Sequence, residues 1–165
     1  MNRRLFLAAL PAALAVGCGF HLRRLGGLPF ASLYVDAPAG STVAERIRTL
    51  LRSDKQTALA ATAGEAEAVL KLSPEEQTKT ILSLSGAGRV TEYRLAMRLT
   101  YSLSDRNERI LTAPESIELI RDMTYDASQV LAKGSEEQLL YRDMEESAAL
   151  RILRRLQTLK PGTPP

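Results

Sequence analysis

Residues 92–103 read Glu92-Tyr93-Arg94-Leu95-Ala96-Met97-Arg98-Leu99-Thr100-Tyr101-Ser102-Leu103. Tyr93, Leu95, Met97, Leu99, Tyr101 and Leu103 hold one set of alternate positions; Glu92, Arg94, Ala96, Arg98, Thr100 and Ser102 hold the other. A period of two puts the apolar set on one side of an extended chain and the polar set on the opposite side. The stretch predicts a long, half-buried antiparallel strand with a polar outer face. Upstream, residues 68–73 and 78–85 read as strand. Pro74-Glu75-Glu76 parts them, and a bend or bulge is expected there because proline cannot donate to a ladder. Ser85-Gly86-Ala87-Gly88 turns the chain. Downstream, Asp105-Arg106-Asn107-Glu108 closes a hairpin. Residues 109–125 return with Ile117, Leu119, Met123 and Tyr125 inward, and Pro114 places that strand at an edge or a bulge.

Two helices flank this β region. After a short strand at 32–36, Thr42 with Glu45 fits a capping box, with Ser41 as the other cap candidate. Val43, Ile47, Leu50 and Leu51 share one face of the helix that follows, which is expected to end near Ser53. Residues 54–67, rich in Ala and Thr, read as a loop. The second helix is expected to start at Ser135 with Gln138 at the box position, after a shorter helical turn at 128–132 and Gly134. Leu140, Met144, Ala148, Ile152, Leu156 and Leu159 form its apolar stripe. Glu136 and Glu137 at its start and Arg154 and Arg155 near its end suit the macrodipole. The order strand, helix, three strands, helix predicts an α+β two-layer sandwich: a four-stranded, mainly antiparallel sheet with both helices on one face.

The chain has 165 residues, 45% hydrophobic and 25% charged, one cysteine and one histidine. This is the composition of one globular domain. A lone cysteine forms no intrachain disulfide, and no metal site is expected from one Cys and one His. Arg3 and Arg4 precede twelve apolar or small residues, 5–16, interrupted only by Pro11. About 20 would be needed to span a bilayer, so the run reads as a signal peptide over 1–17. Ala15-Val16-Gly17-Cys18 resembles a bacterial lipobox, which makes Cys18 the lipidated first residue of the mature chain. Removal of the leader takes Arg3 and Arg4 with it and lowers the formal charge from +3 to +1. The basic balance therefore gives no reason to expect a nucleic-acid partner. Several acyl chains anchor stably where one is marginal. Gly19 follows Cys18 in place of the Asp associated with inner-membrane retention, so the outer membrane, periplasmic face, is the expected location. Residues 18–30 read as a tether, 31–159 as a single domain, and 160–165 as a disordered tail.

Little in the chain can do chemistry. No GxSxG, HExxH or P-loop is present. His21 lies in the tether, without fixed partners for a triad. Glu75-Glu76 and Glu136-Glu137 read as solvated faces or helix N-termini. No cofactor is expected, and an exported hydrolase is the least supported class.

Cys18-Gly19-Phe20-His21-Leu22-Arg23, Thr91-Glu92-Tyr93 before the alternating strand, and Val130-Leu131-Ala132-Lys133 before an acidic stretch together resemble the LPS-assembly lipoprotein LptE family. The resemblance runs from Cys18 to about Leu159. It implies a non-enzymatic subunit, folded as two helices on a four-stranded sheet, that plugs and helps assemble the LptD outer-membrane β-barrel in a 1:1 complex and binds lipopolysaccharide on its way to the outer leaflet. A lipopolysaccharide-binding basic residue of the family matches Lys133 by its Leu-Ala-Lys context. A second falls on Gly86, where this chain departs from the family; Arg89 is the only basic residue in that turn.

Lipid A carries phosphates, which Arg and Lys bind through charge-assisted hydrogen bonds. The candidates are Lys133, Arg89, Arg121, Arg94 and Arg98, with Arg94 and Arg98 sharing one strand face and Lys133 expected to be exposed. A solvated outer face and contact with a barrel wall are alternative readings of the same residues. A lipid carrier without a barrel partner is the rival function; it needs an internal apolar cavity.

Overall fold

The computed structural model describes residues 27–54 and 56–159. The leader, Cys18, His21 and the tail expected over 160–165 lie outside the described residues. In chain order the elements are β1 (Ser32–Asp36), α1 (Thr42–Asp54), β2 (Ala58–Leu59), β3 (Ala68–Leu72), β4 (Glu76–Leu84), β5 (Val90–Asp105), β6 (Ile110–Thr124) and α2 (Val130–Gln157). Short 3-10 turns lie at Ala63–Glu65 and Ala127–Gln129.

β5 is the strand that the alternation predicts. Leu95, Met97, Leu99, Tyr101 and Leu103 are buried on one face, while Arg94 and Arg98 stand exposed on the other. It is the axis of the molecule. At about 3.4 Å per residue its 16 residues span roughly 50 Å. β6 lies antiparallel along one edge for nearly the whole length, from Glu92 opposite Thr124 to Ser104 opposite Ile110. β3 and β4 share the other edge, both antiparallel to β5. Pro114 falls where the β5–β6 register shifts, on a strand with no neighbour on its far side, as the proline predicts.

The sheet differs from the expected one. It has six strands and is mixed, in the order β2-β1-β3-β5-β4 with β6 also on β5. The interruption at Pro74 divides the expected bent strand into β3 and β4. Leu72 faces Tyr101 and Glu76 faces Arg98, so the register slips by one residue between them. Ser73 holds the join: its N–H donates to Thr100 O at 2.8 Å, and its Oγ accepts the Thr100 N–H at 2.8 Å. The parallel pairs have a topological cause. α1 is a crossover that carries the chain back, so β3 re-enters beside β1 in the same direction. The segment expected as loop over 54–67 supplies β2, two residues parallel to β1.

Both helices cover one face of the sheet, as expected. Val43, Ala44, Ile47 and Leu51 of α1 are buried with Leu33, Val35, Leu70 and Leu99 in one apolar core. The buried residues of α2 are Met144, Ala148, Ala149, Ile152, Leu153 and Leu156, all in its C-terminal half. Each fully buried Leu, Ile or Met contributes about 1.5–3 kcal/mol. Phe30 is 9% exposed within this core and Leu28 packs against it, although both fall in the stretch expected as tether.

The helix caps depart from the expected boxes. Ser41, not Thr42, caps α1, its Oγ accepting the Ala44 N–H at 3.1 Å. The carboxylate comes from the β3–β4 bend: Glu75 Oε1 accepts the Ser41 hydroxyl at 2.6 Å and the Val43 N–H at 3.1 Å. Glu45 pairs instead with Arg48 on the surface. α2 starts at Val130, five residues before the expected cap. Gly134 lies inside the helix, and Ser135 Oγ donates back to Leu131 O. The stop-start signal belongs to Asp126, which caps the preceding turn through the Ser128 N–H at 2.8 Å. With 28 residues at 1.5 Å, α2 runs about 42 Å alongside β5.

The molecule is thus a rod with two unlike halves. The proximal half, at the Asp105 end of β5, holds β1, β2, β3, α1 and most of the apolar core. The distal half, at the Val90 end, is β4, β5, β6 and the first turns of α2.

Candidate functional site

The distal end is built from two turns that meet. The first is the β4–β5 hairpin: Gly88 N–H donates to Ser85 O at 2.9 Å, Ser85 N–H donates to Arg89 O at 2.7 Å, and Gly88 takes φ +74°, which suits glycine. The second is the β6–α2 connection, where Tyr125 N–H donates to Thr91 O at 2.8 Å before the Asp126 turn. Tyr93 and Tyr125 close the space between them edge to face, ring centres 5.1 Å apart. Lys79 of β4 lies 4.3 Å over the Tyr93 ring and pairs with Glu137 of α2 at 2.5 Å. Tyr141 donates from α2 to Thr78 O at 2.9 Å, and Arg121 of β6 pairs with Asp143 at 2.8 Å. In this half, polar clasps reach from both outer strands to the helix.

Lys133 falls on the first turns of α2 because the helix starts early. Its ammonium donates to Thr124 Oγ1 at 3.1 Å and pairs with Glu136 at 2.8 Å. The side chain is 15% exposed, so the expectation of an exposed lysine is corrected: the stem is covered and the head is oriented by β6. Arg89 stands exposed in the hairpin turn. The two cations act on one group. Hydrogen bonds from the Ser128 N–H and hydroxyl hold the Asp126 carboxyl below the usual carboxylate range, and the charges of Lys133 and Arg89 lower it further. The Tyr125 N–H bond to Thr91 O and the Lys133 bond to Thr124 bring the Lys-bearing helix start and the Arg-bearing turn to one end of the rod.

The other three candidates lie elsewhere. Arg94 and Arg98 share the uncovered face of β5, and each meets an acid of β6. Arg94 holds Asp122 by two bonds, Nε to Oδ1 at 2.8 Å and a terminal nitrogen to Oδ2 at 2.9 Å; Arg98 meets Glu118 at 3.0 Å. The Arg94 guanidinium holds the Asp122 carboxyl below its ordinary range, chiefly through these hydrogen bonds. Arg121 points to the helix side of the sheet. The five do not form one site: Lys133 and Arg89 share the distal end, two are neutralised on the open face, and one clasps α2. Sequence reasoning missed Asp126 and Lys79. The Asp126-Ala127-Ser128 spacing, an Asx-type cap, was the signal for the first. Lys79 carried none, because its partners are 14 and 58 residues away.

Among the described residues no group of three His, Cys, Asp or Glu side chains could hold a metal ion, and no helix is long and apolar enough to cross a membrane. Among the described residues, clefts of about 390 Å³ beside the start of α1 and about 430 Å³ beside β2 are open and partly polar.

The family described as Lipopolysaccharide-assembly, LptE, matches residues 30–156. The chain belongs to this family. It is 29% identical to the LPS-assembly lipoprotein LptE of Pectobacterium atrosepticum, over 96% of this chain and 88% of that protein. Among solved structures it is similar to a lipoprotein B of Nitrosomonas europaea: 34% identity, TM-score 0.73, over 84% of this chain and 90% of that one. The rare lipoprotein B of Shewanella oneidensis matches at 27% identity and TM-score 0.66, over 76% and 92% of the two chains. Membership in the LptE family makes this a non-enzymatic lipoprotein of lipopolysaccharide assembly in the cell envelope.

Proposed function

We propose that this lipoprotein plugs and helps assemble an LptD β-barrel, anchored to the outer membrane through Cys18, and that its distal end binds the phosphates of lipopolysaccharide through Lys133 and Arg89. The observation that carries the binding site is the meeting of two turns at the distal end: Tyr125 N–H binds Thr91 O, and Lys133 at the start of α2 is held by Thr124, beside the hairpin that bears Arg89. Two cations on separate elements, one oriented by Thr124 and one exposed in a turn, suit a diphosphorylated headgroup better than either does alone. The position that matches the family's second basic residue, Gly86, is occupied by a glycine, and Arg89 in the same turn supplies the charge. Arg94, Arg98 and Arg121 act in this reading as the basic halves of surface ion pairs. The polar, self-neutralised open face of β4, β5 and β6 suits the polar lumen of an outer-membrane barrel.

The test uses the mature chain, residues 18–165, with Cys18→Ser to remove the lipid. Lys133→Gln and Arg89→Gln are each expected to weaken lipopolysaccharide binding by about fivefold or more, as loss of one charged hydrogen bond implies. Arg94→Gln serves as the control and leaves binding unchanged. Glutamine is used because glutamate at 133 would stand beside Glu136. Parental binding in both folded variants sinks the headgroup assignment. A mild-detergent pull-down of the full-length lipoprotein from its native membranes tests the barrel: recovery without a stoichiometric β-barrel overturns the plug reading.

A further inference from the structure

Eight large apolar side chains stand exposed among the described residues, and five of them gather at the distal end. Ile81, Leu82 and Leu84 line the last part of β4; Ile81 lies opposite Tyr93, and Leu84 opposite Val90 beside the hairpin turn. Val130 and Leu131 open α2 immediately after the Asp126 turn. Leu131 is 89% exposed, two residues before Lys133. Single exposed leucines are ordinary. Ile81 and Leu82 point to opposite faces of β4. Leu84 beside the hairpin turn and Val130 and Leu131 at the start of α2, however, lie on the two turns that meet at this end, beside the two cations already described. Exposed apolar side chains placed together in this way mark a binding surface.

We propose that this rim holds acyl chains of the same lipid whose phosphates meet Lys133 and Arg89, a proposal that rests on the headgroup reading above. The chemistry of the end is that of an amphiphile read in reverse: positive charge for phosphate, and beside it apolar surface left exposed among the described residues. Both sides of the rim are fixed. Lys133 ties the start of α2 to Thr124, and the Lys79–Glu137 pair ties β4 to the same helix. The alternative occupant, the membrane that carries the anchor, fits the geometry less well. The chain enters the domain at the Asp105 end: Leu28 N–H donates to Thr57 Oγ1, and Leu33 aligns with Ala68 and so with Asp105. The rim lies at the other end of a strand of roughly 50 Å. The nine residue-to-residue steps from Cys18 to Gly27 reach about 30 Å at most. An upright rod holds the rim away from the leaflet of its own anchor and presents it to lipid that arrives from elsewhere.

The test compares two probes on the mature Cys18→Ser chain: intact hexaacyl lipid A, and its fully deacylated bisphosphorylated disaccharide. Leu131→Ser and Leu84→Ser should each weaken the intact lipid about tenfold, the loss expected when half-covered leucine surface is removed, and leave the disaccharide unchanged. Lys133→Gln should weaken both probes. If the leucine variants bind both probes like the parent while Lys133→Gln weakens both, the rim assignment is overturned and the headgroup site stands. If Lys133→Gln also changes nothing, the headgroup reading fails and takes the rim with it. Equal losses on both probes from the leucine variants refute an acyl-chain role. So does a loss confined to anionic phospholipid vesicles free of lipopolysaccharide, which would make the rim a membrane contact. Circular dichroism checks that each variant is folded.

Discussion

Replacing Glu75 with alanine removes the group that joins the β3–β4 bend to the start of α1. Its carboxylate accepts the Ser41 hydroxyl at 2.6 Å and the Val43 N–H at 3.1 Å. Ser41 is buried, so water replaces the lost acceptor poorly. Two hydrogen bonds to an ionised acceptor, at about 1.5 kcal/mol each, and about 0.5 kcal/mol from a negative charge at a helix N-terminus give a loss of about 3.5 kcal/mol. For a domain of this size that lowers Tm by about 10 °C. Glu75→Gln keeps an acceptor and loses the charge, and should cost about 1 kcal/mol. The comparison that discriminates is Glu45→Ala. The Thr42–Glu45 spacing reads as a capping box in the sequence, yet Glu45 is paired with Arg48 on the surface, and its removal should fall within about 0.5 kcal/mol of zero. Urea unfolding of the mature Cys18→Ser chain, followed by circular dichroism, measures all three. If Glu75→Ala costs under about 1 kcal/mol while Glu45→Ala costs more, the local box caps the helix and the long-range bridge is refuted.

Two further predictions concern the other clasps. At the proximal end Glu115 accepts the Tyr101 hydroxyl at 2.7 Å and two Arg155 nitrogens, at 2.8 and 3.1 Å, and these hydrogen bonds, Arg155 first, hold its carboxyl below the usual carboxylate range. A depressed folded pKa contributes stability that is present above the unfolded value of about 4.3 and disappears as pH falls through the lower folded value. Urea midpoints should therefore fall on acidification in this window, and Glu115→Gln should flatten that limb; an unchanged acid limb counts against the cluster. In α2, Gly134 sits inside the helix with open space where a Cβ would lie. Gly134→Ala should stabilise by about 0.5–1 kcal/mol and raise Tm by a few degrees in a thermal melt, whereas a chain that breaks at Gly134 would gain nothing.

What the sequence discloses here follows the range of each interaction. β5 was legible because its alternation needs no partner to be read: six large apolar residues interleave with five polar ones and Ala96. α1 and the C-terminal half of α2 were legible for the same reason at the helical period. The start of α2 was not. Gly134 and Ser135 carry the residue types of a helix boundary, but one interior glycine costs only about 1 kcal/mol, and the cap at Asp126 together with the Lys133–Thr124 bond sets the boundary earlier. The sheet was miscounted because β2 is two residues long and because the break at Pro74 splits one expected strand into β3 and β4. Its mixed character was hidden because the parallel pairing of β1 and β3 is decided by a crossover, not by composition. Of the candidate site, residue type and family context pointed to Lys133 and Arg89. The acids that neutralise Arg94, Arg98 and Arg121 were hidden, since cross-strand register and helix placement choose Asp122, Glu118 and Asp143 as partners, and bulges shift that register.

The length of the rod has a mechanical consequence. The apolar band of an outer-membrane barrel is about 25 Å tall, about half the span of β5. Inside such a barrel the band would span about half of this lipoprotein, and the remainder would stand beyond the hydrocarbon layer, at the level of salt water. The two halves answer to that water differently. Apolar packing grips the C-terminal half of α2, while the N-terminal half is clasped largely by ions. Salt at physiological strength screens the second grip and not the first. One continuous helix is then firm at one end and tunable at the other.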